Sequence, residues 1–526
     1  MPNENENPKI QNTICKAALE KQILAKEQKP LKFYARFYRI AICDAYFCDK
    51  QMNYSTSTHL NDMTQIKFGT DGWRAIIALD YTVDNVKRVA AGTALWLQQR
   101  GGKQVVVGHD CRFGGQLFAE TTAQVMGAHG IKVFLAKGFV STPMISLGVV
   151  KTGSDQGIVI TASHNPPAYN GFKLKSELGG PTSPDQVAAV EAMIPDTPPT
   201  ALPSLSDMQA KGLLEYVDLE QMYLDHVAAN FDLDGIRKAG FKIAFDAMYG
   251  AGQNAMRRLF PDALLLHCED NPGFMGQAPE PIHRNLQELA ALMQGAPDIA
   301  IGIANDGDAD RIGMYDEDGN FVDSHHILLL LLLYMFKYKK QTGKVVITFS
   351  VTDKMKKMAT QFGLDIEITK IGFKYIAEIM AQEDVIVGGE ESGGLAVKGH
   401  IPERDGIWIG LMILEFMAKT GKSVKQLIEE VYALVGAFNC DRDDLHIEEA
   451  QKQAVIQRCR ENPYPAFGKY TVESLESLDG FKFNLGNDRW VMIRPSGTEP
   501  VLRVYAQAET PAEVRSILDA TREVIL

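Results

Sequence analysis

Short β-branched runs that end in small polar residues recur along this chain. They alternate with stretches whose apolar residues return at helical spacing. Val83 to Leu97 shows that helical spacing. Gln104-Val105-Val106-Val107-Gly108 then reads as a strand leading into His109-Asp110-Cys111-Arg112. A helix from about Gly115 to Ala128 and a strand over Ile131 to Leu135 follow. Strands and helices alternating at these lengths predict a mostly parallel sheet with helices on its faces.

The pattern repeats. Phe241-Lys242-Ile243-Ala244-Phe245-Asp246 opens a second unit and Gly343-Lys344-Val345-Val346-Ile347-Thr348 a third. Each is followed by a second apolar strand that runs into a polar, Gly-rich loop: Ile158–Ile160, Ile299–Ile303 and Val385–Val387. The expectation is three similar α/β domains with mostly parallel mixed sheets. After Asn439 to Asp444 the pattern changes, and the chain closes as a smaller C-terminal α+β domain ending in a helix over Ala512 to Val524. Punctuation places the units at 63–213, 214–324, 325–440 and 441–526. The apolar run Ile327 to Phe336 is about half the length a membrane span needs and reads as a buried helix.

Composition narrows the class. A chain of 526 residues is too long for one hydrophobic core, which agrees with several domains. The net charge of -12 argues against nucleic acid and anionic membranes as partners. The seven cysteines are dispersed, as in a reducing, cytoplasmic setting. Residues 1–62 differ from the rest: polar at first, then a basic-aromatic patch from Lys32 to Arg39. That patch reads as a nucleic-acid contact, a solvated helix, or a segment foreign to the fold. With Met63 opening a fresh block, we expect 1–62 to be poorly ordered and dispensable.

Four loops carry chemistry. Thr161-Ala162-Ser163-His164-Asn165-Pro166 sets a serine at a strand end, with Lys173 returning ten residues later; turn-forming alone would also explain these residue types. Asp306, Asp308 and Asp310 alternate, so their carboxylates can meet at one hard cation, with Arg311 beside them to steady transferring oxygens. A calcium-hand loop shares that spacing, although Arg311 stands where it needs glycine. Glu390 and Ser392, within Gly388 to Gly394, could grip vicinal hydroxyls or line a flexible turn. Arg494-Pro495-Ser496-Gly497-Thr498 could form a phosphate nest or a surface turn.

Taken together and in this order, the motifs Thr161–Pro166, Asp306–Arg311, Gly389–Gly394 and Arg494–Pro500 resemble those of the α-D-phosphohexomutase superfamily, from about Phe68 onward. The resemblance implies a heart-shaped set of four domains around a central cleft, with one motif from each. It implies that Ser163 is a phosphoserine that lends its phosphoryl to a hexose monophosphate and recovers another from a hexose 1,6-bisphosphate intermediate. Asp306, Asp308, Asp310 and a phosphoserine oxygen would hold one Mg²⁺. Glu390 and Ser392 would bind sugar hydroxyls, and Arg494, Ser496, Gly497 and Thr498 the non-reacting phosphate. Lys173 looks like the general acid/base, with His164 and Arg74 nearby; Lys374 and the His400–Asp405 segment lie where the family makes further contacts. Glu-Glu-Ser-Gly resembles the glucose/mannose type, since glucosamine mutases usually show Glu-Gln-Ser-Gly-His. The implied partner is a hexose phosphate, most simply of glucose, bound by a cytoplasmic monomer or weak dimer whose residues 445–526 hinge closed. Mannose or dual specificity, a pentose phosphate mutase, a metal-dependent phosphatase and a non-catalytic binding protein are the alternatives.

Overall fold

Three times the chain lays down a strand, crosses to a parallel neighbour on each side of it, and then doubles back in an antiparallel hairpin. The computed structural model describes residues 65–69, 71–495 and 501–526. The expectations for residues 1–62 and for Ser496, Gly497 and Thr498 therefore lie outside the described residues.

The first sheet contains β1 (Trp73–Ile76), β2 (Gln104–His109), β3 (Lys132–Ala136), β4 (Gln156–Ile160), β5 (Tyr169–Lys175) and β6 (Leu214–Val217), in the order β1-β5-β4-β2-β3-β6. The second contains β7 (Lys242–Asp246), β8 (Leu264–Leu266), β9 (Ile299–Asn305), β10 (Ile312–Tyr315) and β11 (Phe321–Val322), ordered β11-β10-β9-β7-β8. The third contains β12 (Lys344–Thr348), β13 (Ile366–Thr369), β14 (Val385–Gly389) and β15 (Leu395–Val397), ordered β13-β12-β14-β15. In each, the first parallel strand is central: β2 lies between β3 and β4, β7 between β8 and β9, β12 between β13 and β14. Strands covered on both faces should be continuously apolar. Val105–Val107, Ile243–Phe245 and Val345–Ile347 are so, and all are buried. The antiparallel hairpins β4–β5, β9–β10 and β14–β15 carry the serine, aspartate and glutamate loops at their turns.

The fourth unit is antiparallel throughout. Its sheet runs β16 (Asn439–His446), β22 (Val501–Ala508), β21 (Arg489–Pro495), β20 (Phe481–Gly486), β19 (Ser474–Glu476), with a small hairpin of β17 (Ala466–Phe467) and β18 (Tyr470–Thr471). Two of the expected boundaries shift. Leu214–Val217 pairs with β3, so the first unit extends past 213. β16 begins at Asn439, so the fourth starts before 441.

The helix Ser324–Leu333 is buried on every side, as its uninterrupted leucines predict. With the helix Gly406–Thr420 it forms a core that also takes side chains from the first and second sheets. The units are thus fused through shared apolar packing, which holds their hairpin loops in fixed register. No helix among the described residues is long and apolar enough to cross a membrane.

Candidate active site

The serine, aspartate and glutamate loops meet. Ser163 Oγ donates to Asp306 Oδ2 at 2.9 Å. The Thr142 hydroxyl donates to Asp308 Oδ2 at 2.6 Å. Arg311 and Gly394 form an isolated β-bridge between the second and third units. The approach is close enough that a Cβ on Gly307 would lie 2.5 Å from the Ser163 carbonyl.

Ser163 is 1% exposed and has a left-handed backbone, φ +53°, that costs an ordinary residue about 1–2 kcal/mol. A buried cage holds it there. The Thr161 hydroxyl accepts from Ser163 N–H at 2.8 Å and donates to Asp110 Oδ2 at 2.6 Å. Arg112, 2% exposed, donates to the carbonyls of Ser163, Asn165, Pro166 and Tyr169 at 2.6 to 3.1 Å. Burial pushes the Asp110 carboxyl up to about 6, although the Arg112 guanidinium favours its charged form. His164 Nδ1 lies 3.2 Å from Ser163 Oγ. Burial, then the positive field of Arg311, Arg74, Lys173 and Arg404, holds its imidazole well below the ordinary histidine range and hence neutral.

Asp306, Asp308 and Asp310 are fully buried, and one ligand oxygen from each lies within 4.8 Å of the others. Lys173 Nζ lies 2.9 Å from Asp308 Oδ2, 3.3 Å from Asp310 Oδ2 and 2.9 Å from Asp71 Oδ2. Burial alone would lower the Lys173 ammonium, but Asp308, Asp71 and Asp310 outweigh it and hold the proton far above the usual lysine range. Arg404 Nη2 lies 2.6 Å from Asp310 Oδ2 and 2.9 Å from Asp71 Oδ2. These cations occupy one face of the cluster and leave Asp308 Oδ1 and Asp310 Oδ1 buried without a hydrogen-bond partner. Burial and the two neighbouring aspartates push the Asp306 carboxyl well above its ordinary range. Orphaned carboxylate oxygens that repel one another and converge on one point fit a hard divalent cation such as Mg²⁺.

Of the remaining expected residues, Arg74 is close: Nη1 donates to Asn165 Oδ1 at 2.5 Å and Nη2 pairs with Asp71. Arg311 sits 3.7 Å from Glu280. Glu390 is 5% exposed and lies 3.7 Å from Arg404 Nη1. Ser392 is partly buried in the same loop, and Lys374 lines a recess shared with Asp71 and Gly72. Arg494 projects from the end of β21 and pairs with Asp479. The 400–405 segment divides in two. His400 bonds Asp405 at 2.9 Å and stacks on Trp408, while Asp405 caps the helix Gly406–Thr420. Arg404 alone of these three reaches the acidic cluster.

Asp71, Asp110, Arg112 and Asp479 were not marked as site residues by their local sequence, and Arg404 was marked only as part of the 400–405 segment. Asp71 and Arg404 meet across 333 residues, so no local spacing reports them. A usable signal existed only for Asp110 and Arg112, which follow the central strand of the first sheet, where ligand loops gather.

Known proteins match this chain domain by domain. Family models for the four domains of phosphoglucomutase/phosphomannomutase match residues 65–199 (domain I), 221–319 (domain II), 323–435 (domain III) and 439–524 (C-terminal domain). A phosphoglucomutase/phosphomannomutase of Thermococcus kodakarensis is 28% identical over 462 residues, covering 86% of this chain and 96% of that one. A phosphoglucosamine mutase of Lactococcus lactis is 29% identical over 475 residues, covering 87% and 98%. The crystal structure of a provisionally assigned phosphomannomutase from Thermus thermophilus matches with a TM-score of 0.78 at 33% identity, covering 88% of this chain and 99% of that one.

Proposed function

This chain belongs to the phosphoglucomutase/phosphomannomutase family, and on that premise we propose that it interconverts hexose 1-phosphates and hexose 6-phosphates through a phosphorylated Ser163 and a 1,6-bisphosphate. The observation that carries the proposal is the placement of Ser163 Oγ, 2.9 Å from Asp306 and 3.2 Å from a neutral His164. Phosphoryl transfer asks a protein for alignment and charge neutralisation more than for covalent chemistry. The Arg112 cage supplies the alignment. Lys173, Arg311 and Arg404 supply fixed positive charge in a buried setting.

In the forward step the P–O bond to Ser163 breaks and one to the sugar hydroxyl forms. The proton lost by that hydroxyl ends on Ser163 Oγ, and the neutral His164 beside it is placed to accept the Ser163 proton when the phosphoryl returns. Lys173, held charged by its carboxylates, acts from the acid side and steadies the transferring oxygens. A magnesium ion held by Asp306, Asp308, Asp310 and an oxygen of the phosphorylated serine would supply Lewis-acid polarisation of the phosphoryl group. Arg494, with Ser496, Gly497 and Thr498, would hold the phosphate that does not react.

Glu390 and Ser392 would take the sugar hydroxyls. Arg404 already compensates the charge of Glu390, which favours neutral hydroxyls over an ammonium and supports glucose or mannose phosphate as the substrate. A second reading, glucosamine phosphate, is favoured by the phosphoglucosamine mutases among the relatives. A panel of glucose, mannose and glucosamine 1-phosphates separates the two. We expect the amino sugar to be the poorest substrate; a preference for it would overturn the assignment. Release of inorganic phosphate in place of isomerised sugar would indicate a phosphatase instead.

A further inference from the structure

Arg494 lies two residues before Ser496 in the sequence, yet its guanidinium is already engaged. Nε lies 3.3 Å from Asp479 Oδ1 and Nη2 lies 3.4 Å from Asp479 Oδ2. Asp479 Oδ2 also accepts from the Ile371 N–H of the third unit at 2.9 Å. The turn that carries Asp479 is pressed against β21. Gly480 has φ +98°, and a Cβ there would lie 2.9 Å from the Ile493 carbonyl and 3.0 Å from Arg494 Cβ. Asp479 is therefore held against the arginine by backbone packing as well as by charge.

A carboxylate offering two oxygens to a guanidinium fork presents the same contact that a phosphate presents. We propose that Asp479 is an internal stand-in for the substrate's non-reacting phosphate. It is a positioning residue that pairs with Arg494 when the cleft is empty and is displaced when phosphate binds. The inference rests on the mutase reading above, which gives Arg494 its phosphate. A mutase has a specific use for such a group. Its bisphosphate must leave the clamp in mid-turnover, turn, and be gripped again by the other end. An arginine that falls back on a waiting carboxylate releases the first phosphate more readily. A clamp without that alternative would bind the ground state more tightly and turn over more slowly.

The test is Asp479→Asn, which removes the charge but keeps an oxygen for the Ile371 N–H, compared with Asp479→Ala. We expect both to lower KM for the preferred hexose 1-phosphate by roughly two- to fivefold, the scale of one partly exposed ion pair. kcat should fall as well, and less labelled bisphosphate should escape into solution. Glucose 6-phosphate should bind the variants more tightly by calorimetry, and in an Arg494→Ala background the Asp479→Asn effect should vanish. An unchanged or raised KM, with unchanged or weaker calorimetric binding, overturns the proposal and leaves Asp479 a mere tie between units. If the wild type isomerises nothing, the mutase reading falls. Calorimetry then still decides whether Asp479 competes for Arg494.

Discussion

Burial pushes the Glu390 carboxyl up to about 7, even though the Arg404 guanidinium 3.7 Å away pulls it back. Below that value the group carries a proton and loses an acceptor for sugar hydroxyls. We therefore expect kcat/KM to fall as pH drops through about 7, with the ionised form active above it. His164 is neutral across this range and Lys173 stays charged, so neither adds a limb. A substrate phosphate also titrates near about 6. The discriminating comparison is thus Glu390→Gln, which should lower activity and remove the limb near 7 while leaving the substrate's own; an unchanged profile would assign the limb elsewhere. At this scale the sequence was informative wherever the residues of one function sit side by side, as in Asp306–Arg311. It was silent on Asp71 and Asp479, and it reached Arg404 only through the 400–405 segment. Asp71 and Arg404 meet each other across two units, and Asp479 reaches Arg494 from a separate turn.

Among the elements, the hairpin loops are specific because something buried fixes each turn. For β4–β5 it is Arg112. Removing its side chain takes the guanidinium away from the buried Asp110 carboxylate and from four carbonyls of the serine loop. Arg112→Ala should cost about 3–5 kcal/mol of stability by denaturant unfolding, the usual penalty for breaking a buried charged pair. For β14–β15 it is the fit of Gly394 against Arg404, where an added Cβ would lie 2.4 Å from Arg404 Cδ. Gly394→Ala should displace the guanidinium and lower kcat/KM by about 10- to 100-fold. Its melting temperature should stay within a few degrees of the wild type, and the two measurements together distinguish a misplaced cation from a damaged fold. Most strands were legible because covered parallel strands leave long apolar runs. β16 was not, because Asn439-Cys440-Asp441-Arg442-Asp443-Asp444 is a polar edge strand and looks like a boundary.

Across the described chain, the second and third units share a core, whereas the fourth docks through a smaller patch. Phe349 meets Trp490, Met492 and Tyr505, and Thr352 bonds Gln507 at 2.5 Å. Lys354 pairs with Asp488 at 2.6 Å, and Ser350 and Tyr505 both reach Glu391. Glu391 is thereby turned toward the fourth unit, leaving Glu390 for the site. The chain crosses between the units at residues 436–438, where Gly436 has φ +83° and Phe438 stacks on His326 at 4.3 Å. That is a compact pivot. Solution scattering should show a smaller radius of gyration when hexose 1,6-bisphosphate is added, and identical profiles would argue for a rigid cleft. The sequence marked a change of design near 440 but could not show this interface, which is built from side chains on two separate folding patterns.

The central claim is that Ser163 carries and exchanges the phosphoryl group. Its most direct test is intact-mass and activity measurement on the wild type and on Ser163→Ala, before and after incubation with glucose 1,6-bisphosphate. The wild type should gain one phosphoryl and interconvert 1- and 6-phosphates. The variant should stay unmodified and lose that activity while keeping its fold. A Ser163→Ala protein that still isomerises hexose phosphates at the wild-type rate would contradict the account.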